Sequence, residues 1–164
     1  MKIVYLLSLM LCARAFAQSD TVVHFRGMEG VITAPGVDNP VSQIHSGGGP
    51  WTTRGGNARI NLDTGAGFFE VAGLVLNGGT ASGTPGPVTS VIGTLVCNPG
   101  SPAGSAEAII NTPATQLSDE GNAELSFKIS VPPACNHPLF LIRVPSGRWI
   151  ATGTKPATSS KSHY

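Results

Sequence analysis

The chain has 164 residues, of which 12% are charged and 41% hydrophobic, and it carries 21 glycines and 13 prolines, none of them before Thr21. That punctuation excludes a coiled coil or helical bundle, and glycines without a three-residue period exclude collagen. A formal charge of +1, with its basic residues scattered, supplies no basic stripe for nucleic acid and no cluster for anionic lipid.

Met1-Lys2, the apolar run Ile3–Cys12 and Ala15-Phe16-Ala17 have the order of an export signal, with cleavage expected before Gln18. The run is about half the roughly twenty residues that a membrane-spanning helix needs. A lipoprotein cut before Cys12 would place bulky Leu11 where a small residue is usual. Removing residues 1–17 takes Lys2 and Arg14 with it, leaving 8 basic and 9 acidic residues, a net charge of −1. The expected organisation is a leader over 1–17, one domain over 18–153 and a disordered polar tail over 154–164.

Val22–Arg26 and Glu29–Thr33 read as strands. Gly36–Gly56 is too irregular for a strand and is expected to be a long surface loop anchored by Trp51. Asn57–Asp63 alternates, with Ala58, Ile60 and Leu62 on one face and Asn57, Arg59, Asn61 and Asp63 on the other. Phe68–Leu76 follows, and a tight turn centred on Thr64-Gly65 would set Ile60 against Phe69, Ala58 against Val71 and Arg59 against Glu70. A slip of one residue would put Ile60 opposite Glu70 instead.

Gly78–Pro87 is a second loop. Ser90–Cys97 and Leu139–Val144 are apolar at nearly every position, as central strands covered on both faces are. Ala106–Asn111, Ala123–Val131 and Arg148–Thr152 complete the expected strands, and Ala123, Leu125, Phe127, Ile129 and Val131 share one face. About seven to nine short strands, with no room for crossover helices, predict an all-β, antiparallel β-sandwich, with a closed barrel as second choice. In an oxidising compartment Cys97 and Cys135, the two cysteines beyond the leader, are expected to form one bridge. Closing that loop would stabilise the fold by roughly 3–4 kcal/mol.

Four places in the chain carry residue types that serve chemistry elsewhere. Leu62-Asp63-Thr64-Gly65-Ala66 resembles the catalytic turn of aspartic proteases, and Val91-Ile92-Gly93 the apolar-apolar-Gly element behind it. The spacing leaves little room for a flap, Thr94–Pro99 reads as strand and turn rather than helix, and no second such turn exists. Asp63 is therefore the sole catalytic candidate, for a secreted hydrolase, against its plain role as a hairpin corner. His45-Ser46-Gly47-Gly48-Gly49 resembles an esterase oxyanion loop but has no nucleophile elbow to serve. His24, His45, His137 and His163 show no metal-binding spacing, although Asp38 with His45 would suit a triad or metal site if a further group joined them. Gly78–Gly83 has neither the lysine nor the helix of a phosphate cradle. No cofactor and no metal is expected. Trp149, between Arg148 and Ile150, is expected in or near the core.

Trp51, Gly56-x-Ala58-x-Ile60, Val71-Ala72-Gly73-Leu74-Val75, Val96-Cys97, Ala123–Ile129, Pro133-Ala134-Cys135 and Trp149-Ile150-Ala151-Thr152-Gly153 form a pattern over Trp51–Gly153. This pattern resembles a set of uncharacterised secreted bacterial proteins of about this size. The resemblance implies an all-β fold with paired cysteines and a plain hairpin turn at Asp63-Thr64-Gly65, and it implies no activity. Phe69-x-Val71-x-Gly73-Leu74 is more faintly similar to chordin-type secreted domains, without the His-x-His that often follows there. The expected function is that of a non-catalytic exported protein, acting by binding or as an envelope or extracellular structural component, with a cell-envelope or extracellular partner.

Overall fold

The computed structural model describes residues 21–101 and 107–155. Eleven strands lie among them: β1 (Val22–Phe25), β2 (Gly27–Gly30), β3 (Trp51–Thr52), β4 (Gly55–Asn61), β5 (Ala66–Ala72), β6 (Val75–Leu76), β7 (Ser90–Cys97), β8 (Ala108–Gln116), β9 (Ala123–Lys128), β10 (Leu139–Arg143) and β11 (Trp149–Thr154). The expected leader lies outside the described residues, as does the tail from residue 156. Thr154, expected to begin that tail, instead pairs with Gly27 at the end of β11.

The fold is all-β, and its strands form open antiparallel sheets rather than a barrel. One sheet has the order β1-β4-β5-β9, the other β2-β11-β10-β7-β8, and β3 pairs with β6 as a small ribbon. The chain passes from the first sheet to the second at Arg26, between β1 and β2. On the opposite side β8 and β9 are the two edge strands, joined by the turn through Ser118–Gly121. The count exceeds the expected seven to nine because one expected strand is broken in two and Trp51–Thr52, inside the expected loop, pairs as a strand. Phe68–Leu76 breaks at Gly73, whose φ of 63° turns Val75 and Leu76 away to pair with Trp51 and Thr52. Ala106–Asn111 is displaced, since the strand there runs from Ala108 to Gln116.

The β4–β5 hairpin keeps the expected faces but not the expected register. Ala58 stands opposite Phe69, Ile60 opposite Gly67, Arg59 opposite Phe68 and Asn57 opposite Glu70. Asn61 is the cause. Its side-chain oxygen accepts hydrogen bonds from the amides of Asp63 (3.0 Å) and Thr64 (2.9 Å), and its carbonyl accepts one from Gly65 (2.8 Å). Those bonds close a longer loop than a two-residue turn and move the pairing by two positions, which leaves inward residues inward. Arg59 consequently lies over the Phe68 ring at 6.0 Å instead of meeting Glu70.

Between the sheets Phe140 lies 5.8 Å from Phe25, 5.6 Å from Phe69 and 6.5 Å from Phe127, centroid to centroid. Three strand glycines make room for these rings. A Cβ at Gly93 would stand 2.8 Å from Phe140 and 2.9 Å from Phe69, one at Gly67 2.5 Å from Phe127, and one at Gly153 2.9 Å from Phe25. β7 and β10 are buried along nearly their whole length, as their continuous apolar runs predict. The Cys97–Cys135 disulfide ties the end of β7 to the segment before β10. Asn98 reinforces it by exchanging hydrogen bonds with the Asn136 backbone and donating to the Ala134 carbonyl (2.9 Å).

Candidate functional site

Asp63 stands exposed at the β4–β5 tip, where its carboxylate accepts a hydrogen bond from the Thr21 amide at 3.3 Å. It borders a shallow depression with Thr64 and Lys128. Gly93, expected behind that turn in a protease, faces Phe69 and Phe140 inside the core. His24 lies on β1 beside Arg59 and Phe68, in a separate depression. His137 is exposed near the disulfide, at the rim of a depression formed with Pro99, Pro132 and Pro133. His163 lies outside the described residues. Among the described residues no three His, Cys, Asp or Glu side chains gather in a metal-binding group.

Asp38 and His45 do meet, with 2.5 Å between Oδ2 and Nδ1. The other carboxylate oxygen accepts hydrogen bonds from the Ser46 amide (2.9 Å) and the Ser46 hydroxyl (3.3 Å). The His45 contact first, and then the Ser46 amide, hold the Asp38 carboxyl below its ordinary range. This arrangement is unlike a catalytic triad, because Ser46 bonds to the aspartate rather than to the imidazole, and it is fully buried. Nor are the amides of Ser46 and Gly47 available as an oxyanion hole. Ser46 N is bound to Asp38, and Gly47 N donates to the Trp149 carbonyl at 2.8 Å.

The long loop expected to be anchored by Trp51 is thus a strap fastened to β11 at Trp149. The Trp149 amide donates to the His45 carbonyl, and its indole Nε1 donates to the Asn39 carbonyl at 2.8 Å. Trp51 is buried as expected, but within β3, and Gly55 and Gly56 belong to β4.

A further hollow has the same room for a ligand as the depression beside His137. A groove of about 670 Å³ runs over the end of the four-stranded sheet toward the adjoining end of β8. Gly55, Ala72 and Leu117 give it small and apolar walls, and Glu70, Glu124 and Asn122 give it polar ones. Its volume falls in the range of about 300–1,000 Å³ usual for small-molecule sites. β9 lies beside β5 in a register that puts Glu70 directly opposite Glu124. Both side chains are exposed, and neither takes part in an ion pair among the described residues. Asn57 Nδ2 donates to Glu70 Oε1 at 2.5 Å. Arg54, the cation at the end of the groove, is turned across Gly73 toward Asn122, with Nη2 3.3 Å from the amide oxygen.

Glu124 and Asn122 were not identifiable as site residues from sequence. Their strand alternation marks Glu124 as outward, but nothing local indicates that its strand lies beside Glu70. Comparisons with protein-family models, curated proteins and solved structures found no match.

Proposed function

We propose that this is an exported, non-catalytic β-sandwich that binds a partner outside the cytoplasm through the groove between Gly55, Ala72 and Leu117. The groove carries the reading, because it joins ligand-sized volume to a small apolar floor and a hydrogen-bonding wall. Export is supported by the basic start, the apolar run and Ala15-Phe16-Ala17, and by the Cys97–Cys135 bridge, which suits an oxidising compartment. No helix among the described residues is long and apolar enough to cross a membrane. The separation of Asp63, His24 and the Asp38–His45 pair supports binding over hydrolysis, since catalysis needs its groups within mutual reach.

The test is to express the full chain in a bacterial host, fractionate the cells and assay the purified product. Mature protein beginning at Gln18, without free thiols and without activity on a denatured protein substrate, is the expected result. Full-length chain retained in the cytoplasm with two reduced cysteines at positions 97 and 135 would overturn the export reading. Cleavage of the substrate that disappears in Asp63→Asn would overturn the non-catalytic one.

A further inference from the structure

We infer that Asn77-Gly78 is a self-modification site, where the Gly78 amide closes on the Asn77 side chain and converts this asparagine to isoaspartate and aspartate. The inference is independent of the groove and of the binding reading.

Ring closure needs the nitrogen of the following residue to reach the asparagine Cγ, and a side chain on that residue obstructs the approach. Of the eight asparagines, Asn77 alone precedes glycine, which has no Cβ to obstruct it. Asn39 and Asn98 precede proline, whose nitrogen has no hydrogen to lose. Asn57, Asn61, Asn111 and Asn122 hold side-chain atoms in hydrogen bonds to Glu70, the Asp63 amide, Thr94 and the Gly73 amide. Asn136 precedes His137, which carries a side chain.

The surroundings of Asn77 leave the reacting groups free. Its own amide donates to the Pro50 carbonyl at 2.9 Å, which fixes the main chain as it leaves β6. Its side chain is exposed and makes no hydrogen bond among the described residues, and the Gly78 amide donates to none of them. An exposed amide without a protein acceptor is hydrogen-bonded to water, which can take its proton. A Cβ at Gly78 would meet only Pro50 Cγ, at 3.7 Å, and one at Gly79 would meet nothing within 4 Å. The Asn77 side chain therefore has open space in which to fold back over Gly78.

The reaction needs water and no other reactant. Hydroxide takes the Gly78 amide proton, and the nitrogen forms a bond to Asn77 Cγ. The Cγ–Nδ2 bond breaks, Nδ2 takes a proton from water and leaves as ammonia, and a five-membered imide remains. Water then adds to one of the two imide carbonyls. Opening on one side gives aspartate, and opening on the other gives isoaspartate, with the chain rerouted through Cβ and Cγ. Either product carries one carboxylate that the parent lacks.

Isoaspartate lengthens the backbone by one carbon, and the fold has a place for it. The Leu76 amide donates to the Thr84 carbonyl and the Gly83 amide to the Leu76 carbonyl, each at 2.9 Å. These bonds close the loop behind Asn77, so the extra carbon falls inside it and leaves the Trp51–Leu76 pairing of β3 and β6 outside. A slightly longer closed loop costs little. The chain thus has two folded forms that differ by a negative charge beside Pro50.

The test is to incubate the purified full chain at neutral and mildly alkaline pH, digest it in acid and weigh the peptides. The peptide containing Asn77 should gain the mass difference between an amide and a carboxylic acid, and isoaspartyl methyltransferase should label it. Conversion should quicken about tenfold per pH unit, as the fraction of amide anion does. Gly78→Ala should slow it about tenfold through the added Cβ, and Asn77→Ser should abolish labelling of that peptide. The converted chain, separated by anion exchange, should unfold at the same temperature as its parent. An Asn77 that stays intact while acetyl-Val-Leu-Asn-Gly-Gly-Thr-amide converts would overturn the inference, because the loop would then hold the two groups apart. Equal conversion at several asparagines would overturn it as well, and a clear drop in unfolding temperature would overturn the unconstrained loop.

Discussion

Glycine has opposite consequences in the two parts of the four-stranded sheet and its partner. On the inner side Gly67, Gly93 and Gly153 are holes that phenylalanine rings fill to contact distance. On the groove side Gly55 is a hole that nothing fills. The residue type is the same, and the neighbour decides whether it makes a core or a cavity. The inner glycines belong to packing, where shape specifies one arrangement, and Gly55 belongs to a surface where the empty volume is itself the feature.

The largest effect should come from filling an inner hole. Gly93→Val places two methyl groups into the rings of Phe69 and Phe140, and overpacking of this kind should cost about 3 kcal/mol. Urea unfolding of the mature protein measures it. The cost is steric, so trimming the ring with Phe140→Leu in the same chain should recover part of it, and a double-mutant cycle should show clear coupling. Strictly additive losses would mean that Gly93 is required for some reason other than the rings.

Gly93 also shows where sequence reading reaches and where it stops. The apolar run Ser90–Cys97 announced a central strand, and the alternation through Phe127 announced an inward face, because each is written in local periodicity. The cysteine pair was legible for a different reason, being the two thiols left after the leader is set aside. That Gly93 sits under two rings was not legible, because Phe69 and Phe140 reach it from distant parts of the chain, and Val91-Ile92-Gly93 resembled a protease element instead. The hairpin register failed on a single side chain, since alternation fixes faces but the Asn61 bonds fix the turn. Glu70 was expected opposite Arg59 within the hairpin, and its actual neighbour Glu124 comes from a strand more than fifty residues later. Sites built by such pairings have no signature in one strand.

A smaller effect, of different origin, is expected at the unfilled glycine. Gly55→Ala meets no atom, but φ there is 149°, a conformation that residues with a side chain seldom adopt. The cost should be about 1–2 kcal/mol from the backbone alone. It should not be recovered by trimming any neighbour, in contrast to Gly93→Val. Unfolding of Gly55→Ala alone and with Ala72→Gly decides the point, and recovery in the pair would mean that the floor is packed after all.

The strap is an intermediate case, neither packed by rings nor left open, and it should give the smallest effect. Ser46 is buried there because Asp38 satisfies both its amide and its hydroxyl, so polar bonds specify what shape specifies around Phe140. The Asp38 carboxyl titrates below its ordinary value of 3.8 in the folded chain. A group with a lowered folded pKa binds more protons when unfolded, so its stabilisation is full above about pH 4 and is lost as pH falls through the folded value. Asp38→Asn should therefore shift the urea midpoint slightly at neutral pH and make the profile flatter below about pH 4. Gly93→Val should lower the whole profile without changing its slope, because the substitution removes no titrating group. If Asp38→Asn instead left the acid limb unchanged, the strap would be held by its backbone bonds to Trp149 and not by the carboxylate.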